Sequence, residues 1–249
     1  HEIACRARAW YPSHHAQPTS TTRRAQGRNG PAGAGLGGTA VTGRVIETLD
    51  DVEEGASHLR KACPRMEHAL DLTAPLPLRR RPDGFAQLLN AIVSQQVSVA
   101  AADAIWSRMK AARLTGPRKI LWASDEELRA VGLSRQKIRY ARGLAEARID
   151  YRALRDAPTE TVIETLTEVP GIGVWTAEIY AMFSLGRADV FAPGDLALQE
   201  GARLLYDLPE RPNERALRAM SHAWSPWRSV AARVLWAYYA QRIRREGIR

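Results

Sequence analysis

From Arg44 onward apolar residues return at helical spacing between short Gly or Pro turns, so the chain reads as one helix after another. A first helix is expected over Asp50–Cys63, with Asp and Glu crowding its N-terminal end, where the helix dipole favours them. Leu76–Asp83 is a Pro/Arg-rich loop, and Asp83 reads as the N-cap of an apolar helix over Phe85–Val97. Further helices are expected over Ser98–Arg113, Asp125–Val131, Ser134–Ala147, Thr159–Thr167 and Val174–Ser184. The last three cover Asp195–Tyr206, Asn213–Ala223 and Trp227–Arg244. Few strands are credible, and the fold class is all-α. Residues 1–43 have no apolar period and are rich in Gly, Ser, Thr, Pro and Arg. Such a segment buries too little surface to offset its ordering entropy, and a disordered basic tail is expected.

The most informative stretch is Leu166 to Leu198, LTEVPGIGVWTAEIYAMFSLGRADVFAPGDLAL. Pro170, Gly171, Ile172 and Gly173 form a tight turn that opens a helix with Trp175 and Thr176 in its first turn. A turn of this kind presents unpaired backbone N–H groups, a cradle for one phosphate. Gly171 and Gly173 are free to take positive φ and leave no Cβ between backbone and ligand. After the helix comes a Pro-Gly bend and a single acid, Asp195, before LALQE. An Asp there is a good N-cap, and capping is compatible with chemistry.

Composition narrows the partner. The chain has 249 residues, a net charge of +9 and a pI of about 10, with Arg far outnumbering Lys. That surplus favours an anionic partner, DNA being the usual one, although a genome that favours Arg codons gives the same bias. Cys5 and Cys63 lie far apart and form no metal-ligand pattern. Without a disulfide framework the chain suits a reducing cytosol, and a cytoplasmic location is expected. No apolar run is long enough to span a membrane, and no hydrophobic signal core is present at the start. The first residue is His1 rather than Met, which suggests a fragment or a misplaced start.

The Leu166–Leu198 segment resembles the helix-hairpin-helix DNA glycosylases, in which the hairpin is followed by a Gly/Pro-rich loop and an essential aspartate. Asp195 matches that aspartate, and the Asp189–Phe191 run falls at family spacing. Phe85–Ala102, FAQLLNAIVSQQVSVAAA, resembles alkyladenine glycosylases of the bacterial 3-methyladenine DNA glycosylase II type. There the Ser-Gln-Gln region enters the minor groove, so Gln95 and Gln96 are implied DNA contacts, with Gln96 where relatives carry a wedge. Ser94, Gln95 and Gln96 are equally suited to capping a buried helix end. Gly132–Ala145, with Ser134 as cap for the helix of Lys137, Arg139 and Arg142, matches a scaffold helix. Pro226–Trp236 matches the terminal helix, with Trp227 in the core and Trp236 lining the base pocket.

The resemblance implies two helical lobes around a DNA-binding cleft, 44–93 packing with 195–249 and 94–194 forming the lobe with the hairpin. It also implies base flipping, which costs a few kcal/mol and least for damaged bases. An alkylated purine is cationic, and contact with a Trp face contributes roughly 0.5–2 kcal/mol. Trp175 and Trp236 are the candidate walls, with Tyr180 a weaker one. Ionised Asp195 would stabilise oxocarbenium-like charge on the sugar and orient or deprotonate the attacking water. Bifunctional relatives place a Lys where this chain has Trp175, and no Lys follows Lys137, so a monofunctional hydrolase is expected. No cofactor is implied. A structural monovalent cation held by the carbonyls of Thr167, Val169 and Ile172 is, whereas a four-cysteine cluster is excluded because no Cys follows Cys63. The expected partner is double-stranded DNA with damaged bases, bound by a monomer and not by way of a membrane. A glycosylase for hypoxanthine, uracil or an oxidised base, and a noncatalytic hairpin module, remain alternatives.

Overall fold

A computed structural model describes residues 42–245, and among them every regular element is helical. The helices are α1 (Leu49–Ala62), α2 (Pro64–Thr73), α3 (Phe85–Val93), α4 (Val99–Ala111), α5 (Pro117–Trp122), α6 (Asp125–Ala130) and α7 (Arg135–Glu146). They continue with α8 (Tyr151–Asp156), α9 (Thr159–Thr167), α10 (Val174–Phe183), α11 (Leu196–Leu205), α12 (Glu214–Ser221), a 3-10 turn at His222–Trp224, and α13 (Arg228–Arg245). One isolated antiparallel bridge joins Val45 to Arg187. The tail expected over 1–43 lies, but for its last two residues, outside the described residues.

Local chemistry explains most of the starts. Thr48 with Asp51 and Ser124 with Glu127 form capping boxes, each satisfying two orphan N–H groups. Ser134 caps α7 as expected, and Asn213 caps α12. Three helices were not foreseen, α2, α5 and α8. Two of these begin on Pro64 and Pro117, at a first-turn position where the missing proline N–H has no partner to lose. The apolar helix ends at Val93, not Val97, because Gln96 adopts φ +56°. Its N-cap is Gly84 at φ +93°, not Asp83, whose carboxylate instead takes two bonds from Arg155.

Two cores share one helix. Ile179, Met182 and Phe183 of α10 face a cluster built from α1, α2, α11, α12 and α13. Ala177, Tyr180 and Ala181 of the same helix face a second cluster built from α3 to α9. The lobe boundary therefore differs from the expected one at 93. Phe85, Leu88, Leu89, Ile92 and Val93 pack in the second cluster, because all of α3 is apolar and its neighbour is α7. Arg187, buried without a carboxylate, joins distant segments. Its guanidinium donates to the carbonyls of Thr42, Leu154, Arg155 and Ala157 at 2.8 to 3.3 Å.

The approach of α11 to α13 sets the distance between Asp195, at the head of α11, and Trp236. It depends on Gly201, where a Cβ would stand 2.8 Å from the Leu235 carbonyl oxygen. A backbone oxygen cannot swing aside as a flexible side chain can. Gly201→Ala is therefore expected to destabilise the fold by about 1–2 kcal/mol, overpacking outweighing the roughly 1 kcal/mol that Ala gains over Gly inside a helix. Urea unfolding measures this, and a variant as stable as the parent would show that the two helices separate freely.

Candidate active site

The hairpin turn is held from below. Its Val169 carbonyl accepts the Ile172 amide at 3.0 Å, closing the turn between α9 and α10. Gly171 has φ +91°, and a Cβ there would lie 2.4 Å from the Tyr140 ring, so both conformation and contact require glycine. Gly173 differs from expectation. Its φ is −89°, an ordinary extended value, and its freedom lies in the open space around it, with no atom within 4 Å of a would-be Cβ. Pro170, Gly173 and Val174 are exposed, whereas Ile172 and Thr176 turn their side chains inward. Ile172 can therefore meet a phosphate only through its backbone, and the hydroxyl of Thr176 is withdrawn from the surface.

The Ser94–Gln96 junction divides its work. Ser94 donates to Asn90 O at 2.8 Å, and Gln95 Nε2 donates to Gly171 O at 2.8 Å, tying the end of α3 to the hairpin. Lys137 Nζ donates to Val93 O at 2.6 Å, satisfying a carbonyl at the end of α3. Gln96 is exposed, in a left-handed conformation that non-glycine residues rarely take.

Asp195 lies behind the turn, 8% exposed, and combines two functions in one carboxylate. Oδ1 accepts the backbone N–H groups of Ala197 and Leu198, each at 3.0 Å, which is the N-cap of α11. Oδ1 also accepts Trp236 Nε1 at 3.1 Å, and Oδ2 accepts Trp175 Nε1 at 3.0 Å. Four N–H donors thus converge on one carboxylate at the N-terminus of α11. Oδ2, with a single donor, has the lone pair to spare for a water or a sugar. The bend before it is fixed by Asp195 N to Ala192 O at 3.0 Å and Gln199 Nε2 to Pro193 O at 2.9 Å.

The expected aromatic walls separate into two cases. Trp175 is half-buried and Trp236 buried, and both direct an indole N–H at Asp195. Tyr180 does not join them. It sits in the second core at 3% exposure, its hydroxyl accepts Gly84 N at 2.8 Å, and burial pushes its pKa up to about 12. The ring at position 180 points across α10, away from the face that carries Trp175.

Sequence reasoning also missed some neighbours. Tyr239, one turn beyond Trp236, is half-buried, and burial raises its pKa, helped by Glu200 and Asp195. Glu178 is a buried carboxylate in the same helix as Trp175. A lone acid within the apolar run VWTAEIYAMF was the signal available for it. Among the described residues no cluster of three or more His, Cys, Asp or Glu could hold a metal ion.

Hairpin, capped aspartate and two-lobed helical body belong together in one family. The chain is a member of the HhH-GPD superfamily of base excision DNA repair proteins, whose family model matches residues 89–228. It is 31% identical over 201 residues to DNA-3-methyladenine glycosylase 1 of Schizosaccharomyces pombe, covering 77% of this chain and 88% of that one. The crystal structure of a DNA-3-methyladenine glycosidase from Bacillus halodurans superposes with TM-score 0.69 at 36% identity, over 76% of this chain and 91% of that one. A Schizosaccharomyces pombe 3-methyladenine DNA glycosylase in complex with abasic DNA gives TM-score 0.65 at 31% identity, over 74% of this chain and 95% of its own.

The double duty of Asp195 has a consequence for stability. Asp195→Asn keeps an N-cap oxygen but turns an amide N–H toward an indole N–H, and is expected to cost about 1 kcal/mol. Asp195→Ala removes the cap and strands two indole donors, and is expected to cost about 2–3 kcal/mol. Urea unfolding of the three proteins tests the ranking. Equal midpoints would remove the cap from the explanation.

Proposed function

We propose that the protein is a monofunctional DNA glycosylase that excises alkylated purines, chiefly 3-methyladenine and 7-methylguanine, from double-stranded DNA in base excision repair. The observation that carries this reading is Asp195, set at a helix N-terminus between two indole N–H donors.

The hairpin's open backbone around Gly173 and the exposed Pro170 and Val174 grip a phosphate, which offsets part of the cost of turning a nucleotide out of the stack. Gln96, exposed at the junction that Gln95 ties to the hairpin, fills the vacated space. The extruded base carries positive charge, and the electron-rich rings of Trp175 and Trp236 beside Asp195 attract it. As the N-glycosidic bond lengthens, its electron pair leaves with the base and positive charge grows on the sugar. The Asp195 carboxylate stabilises that charge, and Oδ2 orients a water whose oxygen bonds to the anomeric carbon while Oδ2 accepts its proton.

Strand cleavage by an amine is disfavoured. The residue after Val174 is Trp175, and the last lysine in the chain, Lys137, has its ammonium committed to Val93 O. For the monovalent cation, the carbonyls of Thr167, Val169 and Ile172 lie along one turn. Val169 O already accepts one amide and retains a second lone pair, so the donor set fits such an ion next to a phosphate. The protein acts as a monomer on this reading.

Base release from methylated duplex DNA is the test, comparing the parent with Asp195→Asn. The parent should liberate methylated purines and leave strands intact on a gel run without alkali, while Asp195→Asn binds DNA nearly as well and releases none. Release of hypoxanthine, uracil or an oxidised base instead would shift the substrate class. Silence across all lesions would favour a noncatalytic binding module. Binding should also weaken steeply with salt, because each neutralised phosphate contributes about one unit to the log–log slope.

A further inference from the structure

Glu178 is 2% exposed in α10, one turn beyond Trp175. Its carboxylate accepts Arg218 Nη2 from α12 at 3.0 Å, and the same nitrogen donates to Glu214 Oε1 at 3.0 Å. Glu214 in turn lies over the bend before Asp195, with Oε2 3.5 Å from where a Cβ on Gly194 would stand. A carboxylate–guanidinium–carboxylate bridge thus runs from the helix of Trp175 to Glu214 at the start of α12, whose carboxylate lies beside the residue preceding Asp195.

Stability does not explain this arrangement. Burying an ion pair is often no better than burying apolar side chains of the same volume. Apart from Thr176 and Tyr180, the other buried positions of α10 are apolar. What the bridge supplies is geometry. Arg218 is half-exposed and offers a planar fork, so it fixes direction as well as distance between the parts it joins.

We propose that Arg218 is a positioning residue for Asp195, the Glu178–Arg218–Glu214 bridge holding the Pro193–Gly194 bend against α10 so that Oδ2 stays registered with Trp175. The inference rests on Asp195 being the working carboxylate. The bridge also has a titratable member. Burial pushes Glu178 up to about 7 against the opposing pull of Arg218, and Glu214 adds to the rise. These two residues of α12 are the charged groups that act on it. Above that pH Glu178 is ionised and the bridge is at full strength; below it the carboxyl is protonated and the bridge loosens.

The experiment is single-turnover base release from methylated duplex, with the affinity for abasic duplex and the urea midpoint measured on the same samples. Arg218→Met should slow release about tenfold or more, the scale on which a misplaced catalytic group acts, while affinity stays within about twofold and the protein remains folded. Arg218→Lys should recover part of the rate. The parent's release rate should climb from about pH 6 to 8 as Glu178 ionises. Glu178→Gln still accepts from Arg218 but cannot titrate, so that climb should disappear. Parent-like rates in Arg218→Met would overturn the proposal, as would a loss explained by unfolded protein, or a Glu178→Gln profile with the climb intact. Asp195→Asn is run alongside. If it retains activity, the assignment of Asp195 itself fails; if it is inactive while Arg218→Met is normal, only the positioning role fails.

Discussion

Everything at the site depends on one carboxylate that gathers four N–H donors where little water reaches it. Asp195 is largely buried, and a carboxylate there without hydrogen-bond partners would be costly. Four N–H groups supply those partners, two from the first turn of α11 and two from indoles on α10 and α13. The cap and the proposed catalytic group are therefore one object. The helix orients the carboxylate, and the carboxylate terminates the helix. Because the donors come from three elements, the acid acquires its environment only when α10, α11 and α13 have packed in the first core.

The hairpin follows a related logic on the opposite side of α10. The phosphate cradle proposed for it needs exposed backbone N–H groups, which a folded chain normally avoids. The turn itself is held by a saturated underside. Tyr140 packs against Gly171, Gln95 takes the Gly171 carbonyl, and Val169 takes the Ile172 amide. Residues 94–96, which precede α4, and residues 169–173 thus move as one piece. A duplex gripped by the turn would meet Gln96 at a fixed offset.

The surplus of arginine is less uniformly outward than net charge suggests. Arg187 and Arg233 are among the most buried side chains of the molecule. Arg233 donates to Ser229 O, Ser229 Oγ and Leu78 O, and lies 4.9 Å from the Phe183 ring, itself 5.8 Å from the Trp236 ring. Arg187 gathers carbonyls at the C-terminal end of α8, where the helix dipole favours a cation. These guanidiniums replace hydrogen bonds that irregular loops cannot make for themselves. Their charge does not reach a DNA surface, so the anionic partner implied by composition meets fewer cations than a residue count indicates.

Sequence alone determined what is local. Helical spacing gave an all-α body, the cap residues Ser134 and Asp195 marked their helices, and PGIG with the downstream aspartate marked the candidate site. These features depend on residues within a turn or two of one another. Tertiary structure decided what depends on direction. Period-3.6 patterning shows that α10 is apolar on all sides but not which core each face enters, so Tyr180 looked like a pocket wall and proved to be interior. It likewise shows that α3 is apolar without saying which lobe it joins. Asp83 had the right chemistry for a cap and was drawn instead to Arg155, 72 residues away. The meeting of Trp175, Trp236 and Asp195, and the bridge from Glu178 to Arg218, span 20 to 41 residues. Contacts at that separation are fixed by how the two cores pack on α10, which no local pattern encodes.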